Sequence, residues 1–320
     1  MRMTNDPRAR YQGALAGLPK PGYGLGFHSG SLGVATLGAR AGLSPERVFE
    51  DLCQAAQGGA RIEPDNQIAN TVRRAFAEHA NGFIPKPRPK PLVHDGQAVL
   101  RKIIEKGKGA TEKSILEASP IPIPDRPEHH AMLVLQTLYP PDALLFIGQR
   151  DEPGSIGQNI RKAGEWCEHF RRGGRTAPFI IVNPLDGRPH EKKNGDSMTY
   201  RGDGCVSDFR YAVAEFDNIP LEGQLCFWSG VALPIVALID SGNRSVHGWV
   251  DAQKLAPIRS MAEWDVNIRD DLYLRFLVPM GIDGACSNAS RLSRLPGYLR
   301  DTGRWQRLLF LSPDGRRIHD

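Results

Sequence analysis

Residues 233–250 read Leu233-Pro-Ile-Val-Ala-Leu-Ile-Asp240, Ser241-Gly242-Asn243-Arg244, Ser245-Val246-His247-Gly248-Trp249-Val250. An apolar run, a polar Gly-Asn turn and a second run of alternating character spell a β-hairpin. Side chains alternate across a strand, so Ser245, His247 and Trp249 share one face. A lone strand histidine is commonly a satisfied structural residue. Here, however, a hydroxyl stands two positions before it and Arg244 stands in the turn. That combination suits phosphate oxygens, which accept hydrogen bonds from all three groups.

Upstream of this hairpin, Val213-Ala214-Glu215-Phe216-Asp217 has strand character within a run from Tyr211 to Asp217. Val213, Glu215 and Asp217 fall on one face, with Ala214 and Phe216 on the other. Two neighbouring carboxylates on an apolar strand repel each other and are costly to desolvate. A hard divalent cation such as Mg²⁺ removes that penalty. The plainer reading is a polar strand end before the turn at Asn218-Ile219-Pro220, and spacing alone leaves both open.

Downstream, Leu274–Pro279 has strand composition, which places Asp283 of Met280-Gly-Ile-Asp283-Gly284 just past a strand end. The run Asn288-Ala-Ser-Arg291-Leu-Ser-Arg294-Leu-Pro-Gly-Tyr-Leu-Arg300 follows. Its arginines at 291 and 294 present guanidinium groups of the kind that bind phosphate through paired donors. Further strands are expected at Ala143–Gly148 and Phe179–Asn183, and helices around Ile160–Phe170 and Glu222–Ser229. Residues 126–320 therefore form a mixed α/β domain.

The N-terminal part differs. Ser44-Pro45-Glu46 has the form of an N-cap, a first-turn proline and a first-turn acid, followed by Val48, Leu52 and Ala55 at helical spacing. A second helix from about Asp65 carries Ile68, Val72, Ala75 and Phe76 on one stripe. Residues 1–83 are expected to be a small all-helical domain. Ile84-Pro-Lys-Pro-Arg-Pro-Lys-Pro91 alternates proline with other residues and favours an extended, basic spacer. Residues 84–125 are read as a proline-rich linker, with short helices at Ala98–Glu105 and near Ser114 and a second proline stretch at Pro120–Pro124.

The chain has 320 residues, 40% of them apolar and 24% charged, which is a globular profile. No apolar run approaches the ~18–20 residues that a membrane helix needs. The polar start Met1–Arg10 lacks the apolar core of a secretion signal, and the five cysteines form no CxxC pair. Both features point to a reducing cytoplasm. The net charge is +5, and residues 291–320 carry seven Arg against three Asp, a balance that suits a partner bearing phosphates.

Several other signals fail on their own chemistry. Gly22-Tyr-Gly24-Leu-Gly26 has no strand before it, so it is no dinucleotide loop. Gly107-Lys-Gly-Ala-Thr-Glu-Lys-Ser114 carries Glu112 where a P-loop needs glycine. Cys167, His169, His190 and Cys205 match no common zinc spacing, and zinc is not expected.

Glu215-Phe-Asp217, Ser245-Val-His247 and Asp283, in this order and followed by Asn288 to Arg294, resemble the motif set of the archaeo-eukaryotic primase superfamily, the primase-polymerases in particular. The resemblance spans about residues 130–320. It differs at Glu215, where the first carboxylate of the pattern is an aspartate. It implies an α+β catalytic domain with an RRM-like antiparallel sheet, preceded here by the helical domain. It implies that Glu215, Asp217 and Asp283 are catalytic and hold Mg²⁺ or Mn²⁺ in a two-metal site, while Arg244, Ser245, His247, Arg291 and Arg294 bind nucleotide. The implied activity is template-directed nucleotidyl transfer, as a DNA primase or primase-polymerase serving a phage, plasmid or mobile element. Its partners would be a single-stranded DNA template, NTP or dNTP substrates and a separate helicase, with no membrane. The helical domain is similar to accessory modules beside phage and mobile-element primases, which implies assistance in primer initiation or template contact. The rival expectation is a catalytically silent DNA-binding replication-initiation module that keeps the fold.

Overall fold

The structure, a computed structural model, describes residues 6–20, 27–57, 65–80, 95–192 and 197–319. The Gly22–Gly26 loop and the proline spacer Ile84–Pro91 lie outside the described residues. The chain divides into two compact units, one reaching residue 90 and also taking in 192–197, the other formed by the rest. Among the described residues no helix is long and apolar enough to cross a membrane.

The first unit contains α1 (Pro7–Ala16), α2 (Phe27–Arg40), α3 (Pro45–Ala56) and α4 (Asp65–Ala80). Asp6 caps α1 by accepting from the Arg8 amide, and Ser44 caps α3 by accepting from the Arg47 amide at 3.2 Å. Each cap is followed by a proline at the first helical position, where its missing N–H costs nothing. Val48 and Leu52 of α3 meet Ile68, Val72 and Ala75 of α4 and Val34 and Ala35 of α2 in one core. Tyr11 reaches into this core while its hydroxyl donates to Asp51 at 2.8 Å. Removing the Leu52 side chain would empty a fully buried position, at a cost of about 2–5 kcal/mol.

The second unit is an α+β fold of antiparallel sheets. It opens with α5 (Gly96–Lys106), α6 (Glu112–Glu117) and α7 (His130–Leu138), followed by β1 (Leu144–Gly148), β2 (Ile160–Lys162), α8 (Ala163–Arg171) and β3 (Phe179–Ile181). A small ribbon of β4 (His190–Glu191) and β5 (Met198–Thr199) precedes β6 (Tyr211–Ala214) and α9 (Leu221–Gly230). The chain ends with β7 (Ile235–Asp240), β8 (Val246–Asp251), β9 (Leu292–Arg294) and β10 (Arg307–Arg316). One four-stranded sheet has the order β2-β1-β3-β9, the other β10-β7-β8-β6.

Alternation along the strands distributes the apolar residues to two cores. Ala212, Ala214, Phe216, Val246 and Val250 join Trp228 and Leu238 in one; Tyr211, Val213 and Trp249 join Leu135, Ile147 and Ile180 in the other. The expected β7–β8 hairpin is present, with Ile239 opposite His247 and Asp240 opposite Val246. Its turn depends on Gly242, whose φ is +67° and whose Cβ position would lie 2.7 Å from the Trp305 carbonyl oxygen.

Two segments differ from the sequence expectation. Residues 96–118, read as part of a linker, pack into the second unit: Leu100 of α5 and Ile115 of α6 are buried in the core that holds Trp228. The apolar face at Val99, Leu100 and Ile103 recurs at helical spacing and seats α5 there, so the segment is no tether. The stretch Leu274–Pro279 is not a strand but the end of a helical segment, Asp265–Leu277, of π type, extended by a 3₁₀ turn over Val278–Met280. Ile268, Leu272, Tyr273 and Leu277 are buried along one side, and the pairs Arg269–Asp265 and Arg275–Asp271 clamp the exposed side. Gly281, at φ +98°, ends the helical path and turns the chain back towards the sheet.

Candidate active site

Strand register builds the centre of the site. β6 pairs with β8 so that Val213 faces Trp249 and Ala214 faces Gly248. One step further along the same antiparallel ladder brings Glu215 opposite His247, although β6 itself has ended. His247 Nε2 lies 2.9 Å from Glu215 Oε2. The ionised carboxylate can only accept, so Nε2 carries the proton. The other ring nitrogen, Nδ1, is 3.3 Å from Ser293 Oγ, which itself accepts from Trp249 Nε1 at 2.7 Å. With a neutral imidazole the chain runs indole to hydroxyl, hydroxyl to imidazole, imidazole to carboxylate.

Asp283 arrives through a second pairing. Phe216 forms an isolated antiparallel bridge with Ile282, and the Asp283 amide donates to the Glu215 carbonyl at 3.1 Å. The carboxylate of Asp283 also caps the short turn Gly284–Ser287 by accepting from the Ala285 amide at 2.9 Å. The Arg291 guanidinium spans the two acids, with Nη2 3.1 Å from Glu215 Oε1 and 3.2 Å from Asp283 Oδ2. Burial pushes the Glu215 carboxyl up, but the His247 hydrogen bond and the Arg291 guanidinium outweigh it and hold the group down at about 2.

These residues face a cavity of about 830 Å³. All eight residues expected at the site line it: Glu215, Asp217, Arg244, Ser245, His247, Asp283, Arg291 and Arg294. They are not equivalent. Glu215, Asp283, His247 and Arg291 form one bonded cluster, and Ser245 Oγ stands at its edge, 3.4 Å from Glu215 Oε2 and 3.3 Å from Ser241 Oγ. Asp217 and Arg244 are exposed on the cavity lining, outside that cluster. His247, expected to contact nucleotide, lines the cavity and has an acid of the site as its nearest partner.

Arg294 lines the same cavity without joining that bonded cluster. β9 pairs with β3 so that Arg294 faces Phe179, and its guanidinium carbon sits 4.3 Å from the ring centroid. Arg150 stands 5.5 Å from the same centroid, and Arg300 completes the group while donating to the Ser241 carbonyl at 3.0 Å. Burial pulls the Arg294 guanidinium down to about 10, helped by the like charges of Arg300 and Arg150. Among the described residues Arg294 has no carboxylate partner.

Sequence reasoning missed Phe179, Arg150, Arg300 and Cys286. The first three come from strand and loop ends far apart in the chain, and no local pattern marks them. Cys286 Sγ lies 3.6 Å from Glu215 Oε1 and 3.8 Å from Asp283 Oδ2. Burial pushes its thiol up, with the Glu215 and Asp283 carboxylates adding to the effect over the opposing pull of Arg291.

The donor set fits a divalent cation. Glu215, Asp283 and Cys286 offer ligand atoms within 4.8 Å of one another, and the two carboxylates are hard oxygen donors. Asp217 adds a third carboxylate on the same cavity. Acids and arginines lining one cavity suit a ligand that bears both a metal-bound phosphate and further negative charge.

No protein-family model matches the chain, and no curated protein matches it. Among solved structures, the AEP domain of the primase-polymerase of cyanophage S-2L is similar to it at 17% identity and a TM-score of 0.38, over 61% of this chain and 96% of that domain.

Proposed function

We propose that this protein is a nucleotidyltransferase of the DNA primase or primase-polymerase kind, joining nucleotides on a single-stranded DNA template. The observation that carries this reading is that Glu215 and Asp283, bridged by Arg291, share one cavity with Arg294, which has no carboxylate partner among the described residues. The ordered motifs Glu215-Phe-Asp217, Ser245-Val-His247 and Asp283 support it from the sequence side.

In this reading Glu215, Asp217 and Asp283 hold two Mg²⁺ or Mn²⁺ ions. Such ions supply activation of an attacking 3′-hydroxyl and neutralisation of a leaving pyrophosphate. His247 keeps Glu215 ionised and fixes its rotamer through the Nε2 hydrogen bond. Ser245 and Arg244 stand at the hairpin turn, where a hydroxyl and a guanidinium donate to phosphate oxygens. Arg294, held against Phe179, takes a further phosphate. A separate helicase would open the duplex, and the helical domain would assist initiation or template contact.

The test is incorporation of labelled nucleotides on single-stranded DNA, with Mg²⁺ and then Mn²⁺, with and without a primer. Products from unprimed template that disappear in Glu215→Ala/Asp217→Ala are the expected result. Extension of supplied primers alone narrows the activity to a polymerase. DNA binding without products under any condition overturns the enzyme reading in favour of a silent initiator module.

A further inference from the structure

We infer that Arg291 is an internal counter-cation that a divalent ion must displace from Glu215 and Asp283, so that metal and nucleotide enter this site together. The inference rests on the proposed function and concerns the order in which its ligands bind.

The geometry is specific. A single nitrogen, Nη2, bridges Glu215 Oε1 and Asp283 Oδ2 at 3.1 and 3.2 Å. Those same two acids are the ones a cation would use, and Glu215 Oε1 and Asp283 Oδ2 are also the oxygens that face Cys286. A guanidinium and a divalent ion cannot share these oxygens without strong repulsion at short range. Among the described residues Arg291 is tied on its other side only by Nη1, which donates to the Ala285 carbonyl at 3.1 Å, and its buried Nε has no hydrogen-bond partner. The contact with the acids is therefore the main one that holds the side chain in place.

Where a displaced Arg291 goes decides the order. Beyond the two acids it leaves, the cavity beside it is lined by Arg150, Arg244, Arg294 and Arg300 against one further carboxylate, Asp217, which a bound cation would also take. Moving a fifth guanidinium off its acids and into that company is unfavourable until a polyanion occupies the cavity. A nucleoside triphosphate does so, and it offers the released guanidinium new oxygen acceptors. Metal and triphosphate thus favour each other's binding, and by linkage each strengthens the other by the same factor.

The test follows Mn²⁺ binding by the loss of its free electron paramagnetic resonance signal, using the full chain. It is run with and without a deoxynucleoside triphosphate carrying an unreactive α,β-imido bridge, after subtraction of Mn²⁺ bound by that nucleotide alone. Wild type should bind Mn²⁺ about tenfold or more tightly when the analogue is present, within the usual range of coupling between sites. Arg291→Gln should bind Mn²⁺ about tenfold more tightly than wild type without the analogue, and the coupling should shrink. Arg291→Lys, which keeps the charge, should remain near wild type. A merely structural role for Arg291 would weaken metal binding in the Gln variant instead, and that result overturns the inference. Equal Mn²⁺ affinity of wild type with and without the analogue overturns it too, and needs no variant to fold. Metal binding that is tight, uncoupled and lost in Asp283→Asn would remove this inference while leaving the metal site standing. No Mn²⁺ binding under any condition would remove both.

Discussion

The acid corner and the arginine wall face one cavity, but their charges are balanced differently. In the corner every charged group has a partner: Glu215 with His247 and Arg291, Asp283 with Arg291 and the Ala285 amide. On the wall Arg294 is half-buried against Phe179 beside two like charges, and no carboxylate pairs with it among the described residues. The corner is closed without a ligand in the sense that its charges pair among its own residues. In the proposed reading, an arriving anion completes the wall. In that reading the side whose charges pair among themselves supplies position, and the side left cationic supplies affinity.

The largest effect that would break this comparison is on the corner. Asp283→Ala should reduce nucleotide incorporation by about 10²–10³-fold or more, as expected when a group that organises transition-state charge is removed. Circular dichroism and thermal melting should show the fold retained, since Asp283 is partly exposed. Incorporation at the wild-type rate would remove Asp283 from the machinery.

On the wall, Arg294→Met should weaken triphosphate binding by about 10–100-fold, the usual range for losing charge-assisted hydrogen bonds. The same variant should melt no lower than wild type, because it removes a half-buried charge that has no acid partner. A marked fall in melting temperature with unchanged nucleotide affinity would make Arg294 a structural residue.

A pH series sharpens the corner. Glu215 is held at about 2 in the fold and sits near ~4.3 when unfolded, so its contribution to stability is present above that unfolded value. It is lost as the pH falls towards 2. The stability advantage of wild type over Glu215→Gln, measured by chemical denaturation, should therefore shrink on the order of 2 kcal/mol between pH 6 and pH 2. A difference independent of pH would show that the carboxylate is not held down by His247 and Arg291.

The smallest effect is expected at Ser293. Ser293→Ala breaks the link from Trp249 to His247 and leaves a buried indole N–H unpaired, for about 1 kcal/mol of stability. Nucleotide affinity should hardly change, because Ser293 acts only by orienting His247.

Much of the fold was legible in the sequence where period and turn chemistry agreed. The hairpin of β7 and β8 carried strict alternation at 245, 247 and 249 and a glycine at the turn. The capped helix α3 was equally plain. The helical segment Asp265–Leu277 was not legible, because the apolar run Leu274–Val278 has strand composition. Its helical signal lies in the acid–base pairs at 265 and 269 and at 271 and 275. Likewise α5 and α6 sit between proline-rich stretches, which conceal that Leu100 and Ile115 belong to the core. At the site, the motif residues were visible as residue types, but their meeting depends on register. Nothing local says that Glu215 falls opposite His247, that Arg294 falls opposite Phe179, or that Cys286 turns towards both acids.

The most direct test of the central claim, that corner and wall act on one ligand, is calorimetric titration of the unreactive triphosphate analogue into wild type, Asp283→Asn and Arg294→Met, with and without Mn²⁺. Wild type should bind more tightly with Mn²⁺. Asp283→Asn should lose that gain yet keep the metal-independent part, and Arg294→Met should be weakened under both conditions. Triphosphate affinity that is indifferent to Mn²⁺ and to both substitutions would contradict the account.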